Sequence, residues 1–274
     1  MKSIELLSPA KNLECGIAAI NHGADAVYIG ASQFGARAAA GNSVEDIAAL
    51  TKYAHQYRSK VYVALNTILT DAQLPQAETL IHQVYEAGAD ALIVQDMGIL
   101  QMNLPPIPLH ASTQTDNRTV EKVQFLQNAG FSRVVLAREL SLKQIAEIRP
   151  QTNIELEAFV HGALCVSFSG QCYMSAFHGH RSGNRGECSQ PWRLKYNILD
   201  GHNNIIESNT HALSLRDMNR SAHLEEMMAA GVSTFKIEGR LKDMNYVKNI
   251  TAYYRRKLDD IIERNEKYKA SSLG

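Results

Sequence analysis

The stretch His22-Gly23-Ala24-Asp25-Ala26 decides the fold. It ends an amphipathic run and opens an apolar one, and it returns as Ala87-Gly88-Ala89-Asp90-Ala91. Looser copies stand at Asn128-Ala129-Gly130-Phe131-Ser132 and Ala229-Ala230-Gly231-Val232-Ser233. In each copy a glycine follows a helical period, where a left-handed residue terminates a helix, and strand-forming residues come next. A corner that recurs along one chain marks a repeated helix-to-strand unit.

Working outward from these corners, β-rich apolar runs fall at 4–7, 26–29, 61–65, 91–94, 108–111, 133–137, 154–160 and 234–237. Helical periods lie between them at 12–21, 44–57, 77–87, 119–128, 142–148 and 224–230. Eight nearly continuous apolar strands fit a parallel sheet covered on both faces, and the pattern predicts an α/β fold, a (β/α)8 TIM-like barrel. The competing fold, a doubly wound open sheet, should carry a Gly-rich turn after its first strand; here that turn is Ser8-Pro9-Ala10-Lys11-Asn12. After the seventh strand comes a connection of roughly 70 residues, where about 2 to 6 are usual. It predicts a folded, Cys-containing insertion at 162–233 over the barrel mouth, with a hairpin at 194–199 and 204–207. Barrel units one to seven then occupy 1–161, and the last strand and a C-terminal helix 234–274, in one structural domain.

The chain has 274 residues, 45% hydrophobic, with 28 basic and 28 acidic side chains, a formal net charge of zero. That composition is globular and argues against a blanket of cations spread over a polyanion. The sequence shows no apolar run long enough for a membrane span and no basic segment leading into an apolar one, so a cytoplasmic location is expected. From Lys236 onward there are ten Lys and Arg against six Asp and Glu, a local basic excess. The alternative is an ordinary solvated helix with a basic face.

Polar residues stand just past the apolar core of nearly every strand: Ser8, Tyr28, Asn66, Gln95 with Asp96, Ser112 with Gln114, Arg138 with Glu139, His161, and Glu238 with Arg240. In a barrel these positions converge on one mouth. Arg138 and Glu139 have a second reading, a pair that simply neutralises itself. His161 is the candidate general acid/base because imidazole titrates near neutrality. Asn66, Glu238 and Arg240 join it as catalytic candidates. Tyr28, Gln95, Ser112, Gln114, Arg138 and Lys236 are the substrate-binding candidates, the cations for carboxylate or phosphate. Asn66 and Gln114 suit a base edge, and Tyr28 or Phe168 a stacked base.

Three of the four cysteines crowd the expected insertion, as Cys165, Cys172 and Cys188. Converging thiolates suit zinc or an iron–sulfur cluster, although the spacing C-x6-C-x15-C is no generic signature. Small buried thiols and a nucleophilic cysteine paired with His161 are the alternatives. Cys15 falls on the apolar face of the first helix and reads as core.

Several longer strings resemble a known group. "LLSPA" at 6–10, "GADAVYIG" at 23–30, "LNT" at 65–67, "FVHGALC" at 159–165, "SGQCYMS" at 169–175, "NRGECSQPWR" at 184–193 and "FKIEGRLK" at 235–242 are similar to the collagenase-like peptidase family, peptidase family U32. "LSLRDMN" at 213–219 and "YVKNITAYYR" at 246–255 resemble its branch that makes 5-hydroxycytidine in large-subunit ribosomal RNA. The resemblance implies oxygen-independent hydroxylation of an RNA pyrimidine, with a [4Fe-4S] cluster and prephenate, a small organic acid, as oxygen donor. It assigns Cys165, Cys172 and Cys188 as metal ligands. The branch usually has a fourth cysteine in Gln-Pro-Cys-Arg, where this chain has Gln190-Pro191-Trp192-Arg193. Three cysteines with an open site, a substitute ligand among His178, His180 and Cys15, or loss of the cluster are the resulting alternatives. RNA is the expected partner. A peptidase acting on protein, as the family label says, and a cluster-less, non-catalytic binding protein are the competing functions. The chain stops in "RNEKYKASSLG" where longer relatives continue, which suggests a catalytic fragment or a short member.

Overall fold

The computed structural model describes residues 1–35, 41–239 and 242–272. Seven strands, β1 Lys2–Ala10, β2 Ala26–Gly30, β3 Lys60–Leu65, β4 Ala91–Val94, β5 Leu109–Ala111, β6 Arg133–Val135 and β7 Glu155–Gly162, precede the long connection. That connection contains helix α6 Met174–Gly179, a hairpin of β8 Tyr196–Leu199 with β9 Ile205–Thr210, the short β10 Met218–Asn219 and helix α7 Leu224–Ala229. Strand β11 Val232–Ile237 follows. Pairing runs β1 through β7 in order, then β11, which returns to β1, all parallel, so the sheet is a closed eight-stranded barrel. The outer ring consists of α1 Leu13–Ile20, α2 Val44–Gln56, α3 Leu74–Glu86, α4 Val120–Asn128, α5 Leu142–Ile148, α7 and α8 Met244–Glu263.

The recurrent corner has a physical cause. Gly23, Gly88, Gly130 and Gly231 all have φ near +90° to +100°, the left-handed termination that a side chain resists. Two residues on, the motif aspartate clamps the preceding strand twice. Asp25 donates its amide to Leu6 O at 3.0 Å, and its carboxylate accepts from Leu6 N at 2.7 Å. Asp90 does the same to Val61, at 2.9 and 2.7 Å. In the looser third copy Ser132 directs both its amide and its hydroxyl to Leu109 O.

Helix starts are capped locally. Ser43 and Ser141 form reciprocal boxes with Asp46 and Gln144, while Asn12, Thr119 and Asp243 each accept from an amide of the first turn. α3 starts at Leu74, with Pro75 in its first turn, three residues ahead of the apolar period that marks it in the sequence. Between β4 and β5 only a 3₁₀ turn, Met97–Gln101, takes the helix position. A short strand β12, Tyr268–Ala270, pairs with the start of β1.

The main core lies between barrel and helices, built from residues such as Leu6, Ile29, Ile47, Ile81, Phe235 and Leu258. A second cluster, Leu7, Ala26, Tyr28, Tyr62, Ala91 and Ile93, fills one side of the barrel interior. The other side is charged.

Candidate active site

Four buried charges sit inside the barrel below the mouth. Arg133 donates to Glu5 at 2.6 Å and to Glu157 at 3.4 Å, and Lys236 donates to Glu157 at 2.7 Å. Tyr62 donates to the other oxygen of Glu5 at 2.7 Å, and the His110 ring meets Tyr62 edge-on. The two buried cations balance the two buried anions, the condition for burying charge at all, and Arg133 reaches out at 2.8 Å to a third carboxylate, the half-exposed Glu155. Burial raises the Glu5 carboxyl, but Arg133 and Tyr62 outweigh it and hold the group below the usual carboxylate range. Burial, with Arg133 and Lys236 beside it, pushes His110 well below the usual imidazole range.

Above this layer a cavity of about 140 Å³ opens at the C-terminal ends of the strands. Its polar walls are Tyr28, Asn66, Ser112, Gln114, Arg138, Lys236 and Glu238, from β2, β3, β5, β6 and β11 or the residues that follow them. Arg138 donates to Glu238 at 2.6 Å and lies 3.9 Å over the Phe159 ring; its Nε is buried without a partner. Lys236 lies 4.4 Å over the Tyr28 ring, and the Tyr28 hydroxyl donates to Ile237 O. Lys236 thus covers one face of Tyr28, and the hydroxyl proton is spent on a backbone carbonyl, so only the face toward the cavity is left to a ligand.

A second cavity, about 280 Å³, adjoins the first and shares Gln114 and Arg138 with it. Cys165, Cys172 and Cys188 all line it. Burial pushes the Cys165 thiol up, the neighbouring Cys172 and Cys188 add to this, and Arg138 opposes it. The segment that carries the thiols is fastened to the barrel. Glu139 accepts from both the amide and the hydroxyl of Ser169, at 2.9 Å each. Gly170, at φ +76°, rests against the Gln114 carbonyl where a Cβ would overlap it. Arg185 donates to Ile68 O and Gln73 Oε1 on the far side of the mouth. Arg138 and Glu139 are thus not a self-neutralising pair, since each has its own partner.

Three soft donors around one cavity, beside a guanidinium, are the donor type that an iron–sulfur group takes. A single ion would need ligands meeting within about 2.3 Å of one point. Among the described residues no three His, Cys, Asp or Glu side chains meet that way. A cluster places each thiolate on a different iron, so the donors can stand further apart. None of the substitute fourth ligands lines this cavity. Cys15 is buried in the main core, and His178 and His180 are exposed. Trp192 is buried with Arg193 stacked on it at 4.3 Å, and it too is off the cavity wall.

The structure thus brings Asn66, Ser112, Gln114, Arg138, Lys236, Glu238 and Tyr28 together, and separately the three thiols. Gln95 is buried behind the wall, donating to Gln114 O. Arg240 lies outside the described residues. His161 lines neither cavity. A register shift between β11 and β7 at Lys236/Ile237 turns it outward, where its Nδ1 is 3.2 Å from Tyr254 Oη and its ring lies beside Tyr246. Burial lowers its pKa there. The sequence reading passed over Glu5, Arg133 and Glu157, whose signal is a charge at an alternate position within an apolar strand run.

Comparison with known proteins gives consistent relatives. The peptidase family U32 profile matches residues 11–273. A protein of Escherichia coli (strain K12) named a 23S rRNA 5-hydroxycytidine synthase is 55% identical over 270 residues, covering 98% of this chain and 41% of that protein. The tRNA hydroxylation protein P1 of Bacillus subtilis (strain 168) is 35% identical, covering 94% of this chain and 64% of its own length. The chain therefore spans less than two thirds of either relative. Among solved structures, that of a U32 peptidase superposes with a TM-score of 0.57 at 12% identity, over 87% of this chain and 94% of the other, and supports the barrel alone.

Proposed function

The chain belongs to peptidase family U32, and from that premise we propose that it is an enzyme of oxygen-independent RNA pyrimidine hydroxylation, with cytidine of ribosomal RNA as the first candidate substrate. The observation that carries this reading is the shared wall: a polar mouth for a small substrate and a three-thiol cavity meet at Gln114 and Arg138. The 55% identity to a protein named for ribosomal 5-hydroxycytidine synthesis supports it. A [4Fe-4S] cluster would be held by Cys165, Cys172 and Cys188 and would supply one-electron chemistry. Arg138 and Lys236 bind the carboxylates of a small organic acid such as prephenate. Asn66, Ser112 and Gln114 present amide and hydroxyl groups to a base edge. Glu238, oriented by Arg138, is the carboxylate placed to take or return a proton at the mouth. His161 has no role in this scheme, because it faces the tyrosines of α8.

A peptidase would need an activated nucleophile or an activated water, and burial raises the Cys165 thiol, which does not favour it as a cysteine nucleophile. No helix among the described residues is long and apolar enough to cross a membrane. The decisive test is nucleoside mass spectrometry of ribosomal RNA from a strain lacking the gene. Loss of 5-hydroxycytidine, restored by the chain in its natural context but not by its Cys165→Ala variant, is expected. Unchanged hydroxypyrimidine levels would overturn the reading.

A further inference from the structure

The segment beside the thiol cavity exposes aromatic rings that nothing in the mouth uses. Phe168 is 58% exposed on the cavity rim; the Arg118 guanidinium, itself paired with the Asp116 carboxylate, lies 4.1 Å over one face of its ring and leaves the other to solvent. Tyr173, next to Cys172, is 68% exposed and Phe177 is 85% exposed. The Phe177 amide donates to Tyr173 O at 3.0 Å, so the two rings stand one helical turn apart on the same side of α6. The whole run 176–181 is exposed, including His178, His180 and Arg181. Between 162 and 193 the only charged residues are Arg181, Arg185, Arg193 and Glu187, a cationic excess in a chain that is neutral overall.

Protruding rings interleaved with cations and almost free of carboxylates are what single-stranded nucleic acid recognises. Each base offers a π face to a ring, and the phosphates meet the guanidinium groups. We propose that Tyr173 and Phe177, with Phe168 and Arg181, form a stacking platform that holds single-stranded RNA across the rim of the thiol cavity. The platform grips the nucleotides flanking the one that enters the mouth. It rests on the RNA-hydroxylase reading and adds to it where the RNA strand lies. A closed duplex has no free base faces to offer, so the platform discriminates against it.

The test uses the full chain and a single-stranded oligoribonucleotide containing 2-aminopurine, whose fluorescence is quenched by stacking, alongside the same strand in a duplex. Tyr173→Ala and Phe177→Ala should each weaken single-strand binding roughly tenfold and abolish part of the quenching. Arg181→Ala should lower the salt slope by about one phosphate contact without changing the quenching. All three residues are exposed, so an unchanged melting temperature verifies the fold. Equal affinity of unmodified and ring-substituted chains would overturn the platform and leave the rings to a protein partner. Equal binding of single strand and duplex, or no binding by the unmodified chain, would also overturn it. Deletion-strain nucleoside analysis decides the hydroxylase reading separately, so the two can fail independently.

Discussion

Replacing Glu157 by Gln tests whether the charged barrel interior is a compensated set. Glu157 is fully buried, 2.7 Å from Lys236 and 3.4 Å from Arg133, in a group of two cations and two anions. At 2.7 Å and an effective dielectric of about 20 the Lys236–Glu157 attraction is about 6 kcal/mol, most of it offset by the cost of desolvating both groups. The pair therefore adds little net stability, but either half alone is an uncompensated buried charge. With the half-exposed Glu155 on Arg133 left to solvent, Glu157→Gln leaves the four buried groups at plus one and Lys236→Met leaves them at minus one, and each should cost about 3 to 5 kcal/mol. The double variant is neutral again and should lie within about 2 kcal/mol of the unmodified chain, a coupling of several kcal/mol. Equilibrium urea unfolding of the four proteins, followed by two probes with a common m value, measures the cycle. Additivity within about 0.5 kcal/mol would refute the argument, because it would mean that the two groups do not compensate one another.

Other expectations follow from the same geometry. His110 is buried neutral with a depressed pKa, so below its unfolded value of about 6.5 the unfolded chain binds the extra proton and stability falls. The slope is up to about 1.4 kcal/mol per pH unit down to the folded pKa. Chemical denaturation between pH 7 and 5 should show that slope, flattened in His110→Phe; a pH-independent midpoint would contradict it. Gly170→Ala strains a left-handed residue and drives a Cβ into Gln114 O, so the thiol segment should lift from the barrel and become cleavable by dilute protease at least several-fold faster. Trp192→Cys should lower stability by about 3 kcal/mol through the void left behind and leave iron per chain unchanged, since residue 192 is off the cavity wall. Anaerobic iron and sulfide analysis with a melting curve checks both halves.

Much of the fold is written locally. The corner is legible because the glycine that ends the helix and the aspartate that clamps the preceding strand stand two residues apart in one motif, and Asp25 and Asp90 act alike although the strands they clamp lie 19 and 29 residues earlier. Polar residues past the strand ends also converge as a barrel demands, which is why Asn66, Gln114, Arg138 and Glu238 meet. What stays hidden depends on contacts distant in sequence. Arg133 and Glu5 are 128 residues apart, and each alone reads as a flaw in an apolar strand rather than half of a pair. His161 has the right period to face the mouth, but a single register shift against β11 reverses it. Glu139 reads as the neighbour of a cation, and only the folded Ser169 loop reveals its use.

The wall formed by Gln114 and Arg138 has a consequence for the order of events. Two chambers share side chains, so a molecule that moves Gln114 or Arg138 in one reshapes the wall of the other. Whatever factor a mouth ligand applies to affinity in the thiol chamber must return unchanged in the opposite direction. Thiol alkylation rates measured with and without a small dicarboxylate would then read out occupancy of the mouth, giving a view of substrate binding that needs no turnover.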